Sequence, residues 1–92
     1  MRFTWTETKR RSNLAKHGLD FADAKKVFAG PMVLFEDQRT DYGEQRMIGI
    51  RSLASLVVLV VHVESDETIH VISTRKANHD ETNLYYQEAG YF

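Results

Sequence analysis

The run Leu56-Val57-Val58-Leu59-Val60-Val61-His62-Val63 constrains this chain more than any other feature. Almost every residue in it is β-branched or leucine, which suits a pleated strand. A strand with one wet face would alternate polar and apolar residues; an unbroken run is the mark of a central strand covered on both faces. It is far too short to cross a bilayer, which needs about 20 residues. The chain has 92 residues, so we expect one domain spanning 1–92. A domain of this size has little stability to spare, and a partner that binds the folded form adds to it.

The remaining elements follow from local signals. Residues 2–5 alternate like a short strand. Thr6 is placed to cap a helix over 7–17, and Gly18 to stop it. Leu14 and Ala15 are its core candidates, while Lys9, Asn13, Lys16 and His17 share a polar, cationic face. Asp20 opens a second helix with Phe21, Ala24, Val27 and Phe28 at amphipathic spacing, and Gly30-Pro31 ends it. Residues 32–35 read as a strand and 36–46 as a polar loop long enough to carry function. Residues 47–50 and 56–63 form a hairpin through 51–55. Ser65-Asp66-Glu67 turns into a strand over 68–75, and Asn78 with Glu81 supplies a capping-box pair for a last helix bearing Leu84, Tyr85 and Glu88. The order β-α-α-β-β-β-β-α predicts an α+β fold: a mostly antiparallel sheet, two N-terminal helices packed on it, and a short C-terminal helix.

Composition excludes several classes. With 42% hydrophobic and 27% charged residues the chain is globular, neither disordered nor fibrous. It has no cysteine, so disulfides and thiolate metal sites are ruled out. That suits a cytoplasmic protein, and residues 1–11 carry no apolar segment of a secretory signal. The histidines lack the paired spacing of zinc motifs, and Asp37, Asp41 and Glu44 lack a glycine-centred calcium loop, so neither a metal nor a cofactor is expected. The net charge of −1 gives no global pull on nucleic acid. Any such site must come from the cations clustered at 9–17 and 75–76.

One chemistry that clustered cations could serve is metal-free RNA cleavage, which needs a base for the 2′-hydroxyl, an acid for the departing 5′-oxygen, and cations around the pentavalent phosphate. Arginine suits the last role because its planar fork holds two phosphate oxygens. Arg75, beside Lys76 at a strand end, is a candidate, though residue type alone favours reading it as a surface ion pair with Glu44, Glu81 or Glu88. His17 fits acid–base work, and fits equally a cation at a helix C-terminus. His62, among valines, reads as a satisfied, half-buried strand residue, and His79 as an exposed first-turn residue. His70 lies on the strand leading to Arg75. Lys9, Arg10, Arg11 and Lys16 are candidate phosphate contacts, with a plain solvated helix face the better account of Arg10 and Arg11. Tyr42 and Tyr85 are candidates for base stacking or for the core. Glu44 is either a base or a partner for Arg46.

Four segments together resemble the BrnT toxin family, of the RelE/ParE-like superfamily. They are Trp5 with Lys9; Asn13-Leu14-Ala15-Lys16-His17-Gly18 with Phe21 and Ala24; Asp41-Tyr42-Gly43-Glu44 with Arg46; and Val71-Ile72-Ser73-Thr74-Arg75-Lys76-Ala77 with Glu81 and Tyr85. The resemblance implies a RelE-like fold and a ribonuclease toxin of a type II toxin–antitoxin pair. It further implies a BrnA-like antitoxin with a ribbon-helix-helix DNA-binding part, through which alone the toxin reaches operator DNA. With it, Arg75, Lys76, His17 and Arg46 are the expected catalytic residues, and Lys9, Lys16, His70 and Tyr85 the expected RNA contacts. His70 stands where family members often carry arginine. That departure and the near-neutral charge leave an alternative, a weakly active or inactive module that holds the antitoxin and assists autorepression.

Overall fold

A computed structural model describes residues 1–89. The long apolar run lies in strand β4 (Leu56–Ser65), flanked by β3 (Met47–Leu53) and β5 (Thr68–Lys76). Strands β1 (Arg2–Thr4) and β2 (Val33–Glu36) complete a five-stranded sheet in the order β1-β5-β4-β3-β2. β4 is therefore the central strand, and Val57 through His62 are all buried.

Alternation along β4 divides its side chains between two clusters. Val58 and Val60 join Ile69 and Val71 under Phe21, Ala24 and Val27. Those three come from a 3-10 turn (Phe21–Asp23) that leads directly into α2 (Ala24–Val27). One helical turn has negligible stability of its own. It persists here because fully buried side chains such as Phe21 and Val27 contribute roughly 1.5–3 kcal/mol each. On the other side Val57, Leu59 and Val61 pack with Ile48, Ile50, Ala77 and Tyr85, the last from α3 (His79–Glu88). His62 is fully buried, its ring edge-on to Phe28 at 4.8 Å and its nitrogens 3.2 Å from the Val60 carbonyl and 3.0 Å from Glu64. It is the satisfied strand histidine expected, but fully rather than half buried.

Three of the four strand pairings are antiparallel; β1 runs parallel to β5, matching Arg2, Phe3 and Thr4 with Thr68, Ile69 and His70. The sheet is thus mixed. Three residues carry too short a pattern to fix a strand's direction. The β3–β4 hairpin is also longer and tighter than expected, turning at Ala54-Ser55 with Ala54 in the left-handed region (φ 55°). The second helix is shorter than its apolar spacing suggests. A bulge in β5 sets Ser73 opposite Val61 and Val71 opposite His62, so Ile72 has no cross-strand partner.

Helix α1 (Glu7–His17) packs against β5 and ends at Gly18, whose φ of 72° needs no Cβ and whose N–H reaches the Leu14 carbonyl at 2.8 Å. Thr6 occupies the N-cap position in extended conformation, but its side chain makes no capping bond. At α3 the expected capping box is complete: Asn78 Oδ1 accepts from the Glu81 N–H and Glu81 Oε1 accepts from the Asn78 N–H, both at 2.9 Å. Among the described residues no helix is long and apolar enough to cross a membrane.

Candidate active site

Helix α1 is seated by a polar side chain. Leu14, expected in the core, is 42% exposed and Ala15 is exposed as well, whereas Asn13 is 8% exposed. The Asn13 amide meets β5 much as a neighbouring strand would. Its Nδ2 lies 2.8 Å from the Thr74 carbonyl, 2.9 Å from Thr74 Oγ1 and 3.0 Å from the Leu19 carbonyl. Its Oδ1 accepts from the Thr74 N–H at 3.2 Å and from Ser73 Oγ at 3.4 Å. Thr74 lies beyond the end of β1, where its backbone N–H and carbonyl would otherwise be unpaired inside the protein. Arg10 adds a second tie, gripping Asp20 through two bonds of 2.8 Å and holding that carboxyl below its usual range. Arg10 is therefore a structural tie rather than the solvated face residue expected.

Around Asn13 the cationic face of α1 opens a shallow cleft of about 250 Å³, lined by Lys9, Ser12, Lys16 and His17 with Ile72 and Ser73. Lys9, Lys16 and His17 are all exposed. The bulged Ile72 both lines this cleft and packs on the cluster beneath α3, so it links the two sides of β5.

Arg75 lies two residues beyond Ser73 and pairs with Leu59, whose side chain belongs to the α3 cluster. Its guanidinium is bidentate to Glu81, at 2.7 and 2.8 Å. The same carboxylate closes the α3 capping box, so one residue starts the helix and orients the arginine. Each charge steadies the other: Glu81 holds Arg75 protonated, and Arg75 keeps the Glu81 carboxyl below its ordinary value. Lys76, the last residue of β5, is exposed.

The loop between β2 and β3 is built around a buried carboxylate. Asp37, with 1% of its side chain exposed, accepts from Arg39 Nε at 2.8 Å and Nη2 at 2.7 Å, from the Arg39 N–H at 3.2 Å and from the Tyr42 hydroxyl at 3.2 Å. The Arg46 guanidinium rests on the Tyr42 ring at 4.0 Å, with Glu44 at 3.6 Å and its own Nε buried without a partner. Arg39 pulls the Asp37 carboxyl from its ordinary 3.8 down to about 2. A depressed carboxyl contributes stability that is complete above the unfolded value and is lost as pH falls through the folded one. Here that contribution is roughly 1–2 kcal/mol, reduced by the exposure of Arg39. Asp37→Asn is therefore expected to lower the thermal midpoint above pH 4, with the gap from wild type closing as pH falls through about 2. A gap that stays constant over that window would remove Asp37 as the anchor of the loop.

The structure brings Lys9, Lys16 and His17 together and sets Arg75 further along the strand that floors their cleft. His70 is some five residues back from Arg75, about 16 Å along the strand, and bonds Thr4 Oγ1 at 2.8 Å across the β1–β5 pairing. Tyr85 is 6% exposed, with its ring edge-on to Tyr86 at 5.4 Å, which assigns it to packing beneath α3 rather than to stacking on a base. His79, 88% exposed, lies on the first turn of α3. Among the described residues no group of three or more His, Asp or Glu gathers as metal ligands would. Two contributors escaped the sequence: Asn13, whose only signal was a polar residue at the centre of a helix face, and the Asp37-x-Arg39 pair.

A small α+β domain with a lysine–histidine cleft on one helix and an oriented arginine on the adjoining strand is equipped to grip a phosphate backbone. The chain belongs to the BrnT family: the model described as "Ribonuclease toxin, BrnT, of type II toxin-antitoxin system" matches residues 5–81. The crystal structure of the Brucella abortus ribonuclease toxin BrnT is similar to it, with 30% sequence identity and a TM-score of 0.67 over 86% of this chain and 99% of that one. No curated protein sequence matches it significantly.

Proposed function

We propose that the chain is a metal-independent endoribonuclease of RelE-like fold, acting in the cytoplasm and neutralised by a BrnA-like antitoxin whose ribbon-helix-helix part binds operator DNA. The observation that carries this reading is the cleft itself, where Lys9, Lys16 and His17 meet β5 ahead of Arg75. Lys9 and Lys16 hold the backbone phosphates of the RNA. The 2′-oxygen attacks the adjacent phosphorus, and the bond to the 5′-oxygen breaks. The 2′-hydroxyl proton leaves to a base and the 5′-oxygen gains one from an acid; His17 takes one of these roles. Arg75 and Lys76 neutralise the pentavalent phosphate, and Arg46 adds charge from the β2–β3 loop. His70 serves by fixing β1 on β5. The phosphate takes the Arg75 fork from Glu81, which stays anchored through the Asn78 N–H.

The bidentate Arg75–Glu81 pair also favours a second reading, in which Arg75 stays locked and the chain chiefly holds its antitoxin. Purified, antitoxin-free protein incubated with total RNA in EDTA separates the two. Cleavage leaving 2′,3′-cyclic phosphate ends is expected. An inert protein that folds and still binds antitoxin would establish the second reading.

A further inference from the structure

The cations of the α1 cleft cannot tell one nucleic acid from another. Lys9 and Lys16 are matched to phosphates, and DNA carries the same phosphates as RNA. Discrimination between the two needs a group that recognises the ribose 2′-hydroxyl. The same cleft is lined by two uncharged hydroxyl residues, Ser12 and Ser73. Ser12 is exposed on α1, whereas Ser73 is half-buried on β5 and has a partner across the cleft in Asn13.

That partner fixes what the Ser73 hydroxyl can offer. The Asn13 amide lies with Nδ2 toward the Thr74 and Leu19 carbonyls, at 2.8 and 3.0 Å, and with Oδ1 toward the Thr74 N–H at 3.2 Å. Reversing it would set its oxygen against both carbonyls and its nitrogen against an N–H, so the backbone around it settles its orientation. Oδ1 only accepts, and the hydroxyl that meets it at 3.4 Å therefore donates. A hydroxyl has a single proton. With that proton directed to Asn13, Ser73 Oγ presents only lone pairs to the cleft. A phosphate, itself an acceptor, has nothing to give such an oxygen. Along a sugar–phosphate backbone the donor is the 2′-hydroxyl of ribose, which deoxyribose lacks.

We propose that Ser73 is the residue through which the cleft selects ribose over deoxyribose, its Oγ accepting from a 2′-hydroxyl while donating to Asn13. This rests on the RNA-cleaving reading of the cleft and adds to it a preference expressed in binding, before any bond is broken. The incoming donor also strengthens the long Ser73–Asn13 contact, because hydrogen bonds in a chain polarise one another. Ser73 holds the ribose and takes no proton from it; the base of the reaction is a separate group.

The probes are adenosine 3′,5′-bisphosphate and its 2′-deoxy analogue, which carry phosphates on both sides of the sugar and have no internucleotide bond to cleave. Each is titrated into the protein and followed by the NMR signals of the α1 cleft. Wild-type protein is expected to bind the ribose form roughly fivefold more tightly, the worth of one neutral hydrogen bond. In Ser73→Ala the two affinities converge, with that for the deoxy form within about twofold of wild type. The substitution strands nothing, because Asn13 Oδ1 keeps the Thr74 N–H, and an unchanged thermal midpoint confirms the fold. Ser73→Thr keeps the hydroxyl and restores the preference. A preference retained in Ser73→Ala, or lacking in wild type, overturns the role of Ser73; cleavage of total RNA by the same protein then leaves the RNA reading standing. A wild-type protein that binds neither probe overturns it too, with the cleavage assay again deciding the RNA reading separately.

Discussion

Arg75→Ala is expected to lower RNA cleavage by roughly 100–1,000-fold, the usual loss when one group stabilising transition-state charge is removed. Arginine at this position supplies a planar fork, which Glu81 occupies until the phosphate displaces it. Lysine keeps the charge but not the fork, so Arg75→Lys is expected to recover only part of the activity. The substitution also strands Glu81, which is partly buried. A thermal midpoint lower by about 4–8 °C is the expected cost. Glu81→Gln provides the control, because glutamine can complete a capping box and frees the arginine. Cleavage by that variant should equal or exceed wild type. Unchanged cleavage by a folded Arg75→Ala protein would remove Arg75 from the chemistry; loss of cleavage in both variants would assign the pair a purely structural role.

Asn13→Ala is expected to be the most destabilising single change in α1, at about 3 kcal/mol. It leaves the Thr74 N–H and carbonyl and the Leu19 carbonyl without their side-chain partner, at a site closed to water. For a domain of this size that is a fall of roughly 12–24 °C in the thermal midpoint. Asn13→Asp should be as severe, since it turns a donor toward two carbonyls into a charged acceptor. Leu14→Ala, one position along and 42% exposed, should change stability by less than about 0.5 kcal/mol. If Leu14→Ala proved the more damaging of the two, the polar seating of α1 would be refuted. Activity should fall with Asn13 as well, because Lys9, Lys16 and His17 share its helix.

These residues also show what the sequence made legible. β4 was readable because a doubly covered strand leaves an unbroken apolar run, and α3 because Asn78 and Glu81 state their own geometry. Lys9, Lys16 and His17 were readable as a group because helical spacing alone places them on one face. Asn13 was not, since its burial depends on a strand 61 residues away. The direction of β1 was hidden for the same reason. Arg39 was hidden differently: nothing local says that Asp37 is buried, and an arginine in a polar loop looks like any solvated charge. That Arg75 ends a strand was legible, but which of three glutamates holds it depended on where α3 begins.

The pairing of β1 with β5 has a consequence in time. The bond from Thr4 to His70 spans 66 positions and the Asn13 contacts with Thr74 span 61. Contacts so distant along the chain are slow to form, because the loop between them must close before they are rewarded. Synthesis runs from the N-terminus, so α1 emerges early and waits without a seat until β5 follows. A nascent or truncated chain ending before Thr74 has its lysines and His17 but no floor beneath them. The cleft therefore assembles only after β5 has been made, so on the RNA-cleaving reading the order of synthesis keeps the chain disarmed until then.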